Sequence, residues 1–312
     1  MMELRWSRRG GTISSGLERG AERMRWSKLG QVAIGRIVES NGPFMRIYDF
    51  FPDSTPELLA PHRHWLEPQA LEPGTDMLLM PIQSYVVRTP RATVLVDSCV
   101  GNHKSVKWFP AWDNMTGDGF ERGLTALGLG VDDIDFVLCT HLHVDHSGWN
   151  TRWSDGRWRP TFPRARYVLS RTEVAAAEKL HRERGDPTYA ENVLPVIEAG
   201  QAELVADDYQ IDDHVWLEPT PGHTPGHCAV RIDGRGVNAV VTGDLIHSPV
   251  QCSFPHWNFR YDTNKALAAD TRQRFLERYS DCATQVMTAH FPLPSAGRIT
   301  STAGAFRFNY LP

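Results

Sequence analysis

The chain has 312 residues, 41% of them hydrophobic and 22% charged, which excludes a disordered or fibrous protein and suffices for a substantial buried core. Its formal net charge of −4 argues against a broad nucleic-acid or anionic-membrane surface, and no apolar run approaches the ~18 residues of a membrane span. Thirteen histidines stand against 8 tyrosines and 8 methionines, so where they fall is the main question.

Residues 1–28 carry seven basic and three acidic side chains, a net of +4 that leaves −8 for the rest. Arg-Trp-Ser occurs at 5–7 and again at 25–27, and the pair Arg8-Arg9 is not followed by an apolar run. This segment is expected to be a flexible basic leader, and 29–312 a single domain. Gln31–Val38 reads as a strand, and 40–75, rich in proline and aromatics, as a long loop with short helical turns. Strands are expected at Ile82–Arg88 and Thr93–Ser98, then a helix over Phe120–Leu129, where Phe120, Leu124 and Leu127 recur at helical spacing. Ile134–Thr140 suits a buried strand, and Arg166–Ser170 is another. Thr172–Arg184 and Glu191–Ala199 look helical; Val215–Glu218, Cys228–Ile232 and Val237–Thr242 look extended. An amphipathic helix at Asn264–Arg278 and strands at Gln285–Ala289 and Phe306–Leu311 complete the reading. Many strands joined by short turns favour an α/β protein with sheets face to face and helices outside.

Five cysteines (Cys99, Cys139, Cys228, Cys252 and Cys282) are odd in number, widely spaced and without a CxxC pair. They argue against a disulfide framework or a cysteine zinc site, and Cys139 and Cys228 are expected in the core.

Seven histidines fall in four short segments: Thr-His141-Leu-His143-Val-Asp145-His146, Gly222-His223-Thr-Pro-Gly-His227, Gly243-Asp244-Leu-Ile-His247 and Ala289-His290-Phe-Pro. Each adjoins a strand-like run, where a rigid sheet can present converging ligands. Three imidazoles and a carboxylate within six residues make sense around cations, because imidazole suits zinc and its neighbours while carboxylate neutralises charge or bridges. The remaining histidines, His62, His64, His103, His181, His214 and His256, are expected at the surface.

His-Leu-His-Val-Asp-His resembles the HxHxDH signature of the metallo-β-lactamase superfamily, and the other three segments resemble its later motifs in order. The resemblance covers about 75–300 and implies an αββα sandwich: two mixed β-sheets face to face with helices on both outer faces, the site along one edge. It implies that His141, His143 and His223 hold a first metal, that Asp145, His146 and His290 hold a second, and that Asp244 bridges them. Two divalent ions, zinc first among the candidates, are therefore expected. His227 and Asp97 match supporting residues rather than ligands.

Two close cations can share a water, make it hydroxide near neutral pH and polarise an electrophilic oxygen. The implied reaction is attack by a metal-bridging hydroxide on a lactone or ester, with Asp145 shuttling the proton to the leaving group. The segments around Asp97–Lys104, Ser147–Thr151, Gly243–Gln251 and His290–Arg298 look like the lactonase branch, which includes N-acyl-homoserine-lactone lactonases and organophosphate hydrolases. His247 stands where several lactonases have a tyrosine; its imidazole could donate to the substrate carbonyl. Phosphotriester or phosphodiester hydrolysis is the alternative on the same site, and a non-catalytic metal-binding protein a third reading. Trp108, Phe109, Trp112, Trp149, Phe254 and Trp257 are candidates either for an apolar cleft or for the core, with Phe50, Phe51 and Trp65 for a lid. Lys104 and Arg298 are weighed as substrate-anion contacts against surface or structural charges. A small-molecule substrate, a cytoplasmic site, no nucleic acid or membrane partner and a homodimer complete the expectations.

Overall fold

A computed structural model describes residues 26–302 and 304–312. Seven strands form the first sheet: β1 (Ser27–Leu29), β2 (Val32–Arg46), β3 (Met77–Arg88), β4 (Thr93–Val96), β5 (Phe136–Leu138), β8 (Arg166–Ser170) and β9 (Ala202–Val205), in that spatial order. Pairs from β1 to β4 are antiparallel and pairs from β4 to β9 parallel. The second sheet runs β10 (Val215–Pro219), β11 (Cys228–Asp233), β12 (Asn238–Val241), β13 (Gln285–Met287), β14 (Ala296–Thr302) and β15 (Ala305–Tyr310), parallel only between β12 and β13. A separate hairpin joins β6 (Thr151–Ser154) to β7 (Arg157–Pro160).

Alternation along the strands builds the layers. Val94 and Val96 on β4, Leu138 on β5 and Val241 on β12 point between the sheets, where they meet Tyr85, Val230 and Met287. Leu95 and Val137 point outward and pack under helix α1 (Gly119–Ala126) through Phe120 and Leu124. On the other side, Val240, Val286 and Ile299 pack under helix α3 (Lys265–Tyr279) through Phe275, Leu276 and Tyr279. Helix α2 (Arg171–Arg184) follows β8 directly. Two sheets with helices on both outer faces are the expected αββα sandwich.

Several boundaries differ from the sequence reading. β2 continues to Arg46 because register shifts at Val38/Ser40 and Pro43/Arg46 absorb Pro43 within the strand. The expected loop therefore starts later, and its aromatics build a small core of their own: Phe50, Phe51, Leu59 and Leu66 around Trp257. The hairpin β6–β7 was missed, although Asp155-Gly156, both at positive φ, is a strong turn signal. β9 and β14 were also unforeseen. The expected boundary at residue 28 falls inside β1, and Trp26 already bonds the Leu127 carbonyl at 3.0 Å; residues 1–25 of the expected leader lie outside the described residues. Cys139 and Cys228 are buried as expected. His214 is buried rather than exposed, its Nδ1 2.7 Å from the Asp233 carbonyl. Among the described residues no helix is long and apolar enough to cross a membrane.

Phe120 stacks on Trp149 with centroids 5.2 Å apart, bracing the segment that follows His146. Phe120→Ala is expected to cost about 3–5 kcal/mol, read as a lower urea midpoint at unchanged slope.

Candidate metal centre

Four strands end at one edge of the sandwich, and their loops bring the expected residues together. β5 leads into His141–His146, β12 into Asp244, β13 into His290 and β4 into Asp97, while His223 precedes β11. Two ligand groups result: His141, His143, His223 and Asp244, and Asp145, His146, Asp244 and His290, each with its ligand atoms within 4.8 Å of one another. In the first, the His143 Nδ1 lies 3.0 Å from both His141 Nε2 and His223 Nε2. Asp244 Oδ2 completes it, 3.8 Å from His141 Nε2 and 3.4 Å from His223 Nε2. In the second, His146 Nε2 and His290 Nε2 are 3.3 Å apart and each is 3.0 Å from Asp244 Oδ1. Asp145 Oδ2 stands 3.6 Å from both imidazoles.

The opposite edge of most rings is held by a partner. His146 Nδ1 faces Asp97 Oδ2 at 2.8 Å, His223 Nδ1 faces Asp262 Oδ1 at 2.8 Å, and His290 Nδ1 donates to the Pro81 carbonyl at 3.0 Å. His141 Nδ1 meets Thr140 Oγ1 at 3.1 Å. A proton on Nδ1 leaves a lone pair on Nε2, and these lone pairs face one another and a carboxylate in a buried space. Asp244 Oδ1 is buried, and neither close imidazole approaches it with hydrogen-bond geometry. Acceptors facing acceptors at this range fit a cation between them: tetrahedral zinc, with ligands at about 2.0–2.1 Å, sets its donors about 3.3 Å apart.

The electrostatics agree. Burial pushes the His141 and His143 imidazoles down, so both are neutral donors at pH 7. Burial opposes charge on His146 too, but Asp244, Asp145 and Asp97 outweigh it and raise its pKa well above the ordinary value. Asp244 is held well below its ordinary range: burial resists, but His146, His290 and His247 prevail.

His227 is a support, as expected. Its Nε2 accepts the Asp244 backbone N–H at 3.0 Å, and its Nδ1 faces Thr220 Oγ1 at 2.8 Å. Gly243, at φ 51°, lets this turn close, since a Cβ there would come 2.7 Å from Thr140 Oγ1 and 2.8 Å from His227 Nε2. Asp97 also accepts from the Thr140 amide at 2.7 Å and hydroxyl at 2.9 Å, tying the His146 loop to the His141 loop. Asp262 escaped the sequence reading. It lies 39 residues from His223 and is itself held by the fully buried Arg272, 3.3 Å away.

The aromatic expectations separate. Phe50 and Phe259 reach the site, with centroids 5.3 and 4.8 Å from His247; Phe259 also stacks 5.8 Å from His223 and was not foreseen. From Phe259 the aromatics continue to Tyr261 at 5.3 Å and Trp108 at 6.3 Å, both of which are exposed. Trp112, Trp149, Phe51 and Trp257 are buried packing residues, Phe109 and Phe254 are half-buried, and Trp65 is half-buried beside His62. Lys104 is fully buried, bonding Thr151 Oγ1 at 2.7 Å with its Nζ 3.5 Å over the Trp158 ring, so it meets neither substrate nor solvent. Arg298 is exposed on β14.

The chain belongs to the metallo-beta-lactamase superfamily, which it matches over residues 78–277. It is 30% identical over 182 residues to an N-acyl homoserine lactonase of Bacillus thuringiensis, covering 55% of this chain and 66% of that protein. An N-acyl homoserine lactonase of Bacillus cereus is 27% identical over 219 residues, covering 65% and 78%. The chain thus spans just under two-thirds of the length of the B. thuringiensis relative. Among solved structures, AidC, a dizinc quorum-quenching lactonase, superposes with a TM-score of 0.74 at 22% identity over 92% of this chain and 97% of that one. A probable metal-dependent hydrolase from Staphylococcus aureus gives 0.70 at 18% identity over 92% and 100%. At these identities the superpositions establish the fold.

Stripping the protein with a chelator is expected to lower its melting temperature. Added zinc should restore it in a concentration-dependent way, read by differential scanning fluorimetry.

Proposed function

We propose that this chain is a dinuclear metal-dependent hydrolase that opens a lactone or cleaves an ester, with N-acyl homoserine lactones as the first substrate class to test. One observation carries the reading: the two ligand groups share Asp244 through different oxygens, Oδ2 toward His141 and His223, Oδ1 toward His146 and His290. The relatives named N-acyl homoserine lactonase support the lactone side. Imidazole and carboxylate donors suit zinc. Two such ions would supply an acidified water and an electrophile for the carbonyl oxygen.

The chain's own residues do the rest. His141, His143 and His223 would hold a first ion and Asp145, His146 and His290 a second, with Asp244 offering an oxygen to each group. Asp145, whose side chain keeps 12% of its exposure against 5% for Asp244, is the carboxylate best placed to take a proton and return it to the leaving alkoxide. His247 Nε2 lies 3.2 Å from Asp244 Oδ2, where a proton on that nitrogen would orient the shared carboxylate; donation to the substrate carbonyl is its expected catalytic role. Asp97, Asp262 and the Pro81 carbonyl keep the imidazoles turned inward.

The substrate is a small molecule. Five free thiols, four of them buried, suit a reducing compartment, and we assign the cytoplasm. The reading includes one hydrolase domain over 29–312, extended by β1 back to Ser27, and a homodimer, for which gel filtration should give the mass of two chains.

Asp244→Ala should cut bound zinc from two ions to at most one per chain and lower kcat/KM by about 100-fold or more, measured by elemental analysis and steady-state kinetics. Wild-type protein holding two ions yet inert toward lactones, aryl esters and phosphotriesters would sink the proposal. Replacing both Trp108 and Tyr261 by alanine should raise KM for long-chain lactones about tenfold and leave short-chain substrates unchanged.

A further inference from the structure

We propose that Glu173 is a positioning residue for the first ligand group, its buried carboxylate fixing both loops that carry His141, His143 and His223. The inference rests on the metal-centre reading above. Glu173 lies in the first turn of α2 and is 3% exposed. Its Oε2 accepts the Leu142 N–H at 3.2 Å, and its Oε1 accepts the Gly226 N–H at 2.7 Å. Leu142 stands between His141 and His143, and Gly226 between His223 and His227. One side chain therefore clamps the two backbones that supply all three histidines.

Two further observations show that the clamp is built. A Cβ on Gly226 would come 2.7 Å from Ser170 Oγ and Thr172 Cβ and 3.0 Å from the Glu173 amide, so only glycine lets this loop press against the start of α2. That start is itself fixed: Ser170 Oγ accepts the Glu173 N–H at 3.1 Å and donates to Asp207 Oδ1 at 2.6 Å. Among the described residues no cationic side chain forms an ion pair with Glu173. Burial raises its carboxyl pKa, opposed by the bonds from the Gly226 and Leu142 amides. A site of purely apolar packing would not retain so costly a group.

The test uses the full chain as Glu173→Gln and Glu173→Ala, with Val196→Ala as a core control outside the ligand segments. Zinc per chain, zinc affinity by chelator competition, the visible absorption of cobalt-substituted protein and the melting temperature of the metal-free form are measured. Both Glu173 variants should keep one tightly held ion, bind the other about 10–100-fold more weakly and shift the cobalt bands. Val196→Ala should lower the metal-free melting temperature without moving affinity or spectrum. Should neither Glu173 variant fold, Glu173→Asp keeps the charge but reaches one loop only, and an affinity below wild type is expected. Wild-type affinity and spectrum in whichever of these variants folds overturn the proposal while the metal centre stands. A wild-type chain that binds fewer than two ions overturns the metal-centre reading and this inference with it.

Discussion

Everything at this edge of the sandwich answers to one electrostatic constraint. Five imidazoles and two carboxylates converge in a nearly dry space, and their orienting partners turn lone pairs inward. Such an arrangement repels itself unless positive charge sits within it. Asp244 is the focus, because its two oxygens face different sets of imidazoles while its backbone N–H is held by His227. The downward pressure on its pKa and the upward pressure on that of His146 are two views of the same imbalance.

Holding such a centre together requires restraints that are themselves polar and buried. Asp97 fastens His146 to the Thr140 segment, the pair Asp262–Arg272 fastens His223, and Arg272 further donates to the carbonyls of Leu245, Pro255 and Trp257. These groups come from β4's end, from the loop before α3 and from α3 itself. The outer helices thus do more than cover the sheets: their side chains bond the loops that carry the site. Glu173 on α2 belongs to the same pattern on the opposite layer.

The candidate ligand set was legible because its chemistry is local. His141, His143, Asp145 and His146 lie within six residues, and the remaining ligands sit in glycine- and proline-marked turns beside apolar runs. The sandwich followed from the same runs. The orienting groups were hidden because nothing in the spacing links them to what they hold: Asp262 is 39 residues from His223, and Glu173 is 31 from Leu142 and 53 from Gly226. Lys104 was hidden for another reason. Burying an ammonium is costly, and only the fold reveals the Trp158 face and the Thr151 hydroxyl that receive it. Proximity in sequence also left Phe50 and Phe51 as equal candidates and gave no sign of Phe259, whereas the local backbone turns Phe50 and Phe259 toward His247.

The parentage of the ligands has a mechanical meaning. His141, His143, Asp145 and His146 leave the first sheet, whereas His223, Asp244 and His290 belong to the second. Ions bound as proposed would therefore be sutures between the two halves of the sandwich, closing chain loops of about a hundred residues much as a covalent cross-link would. At this edge the two sheets are otherwise joined by side-chain contacts and by the bond from the Cys228 N–H to the Thr140 carbonyl at 2.9 Å. The metal would then help decide whether the sheets stay shut, and a chain emptied of it would be most prone to gape at the end where substrate enters.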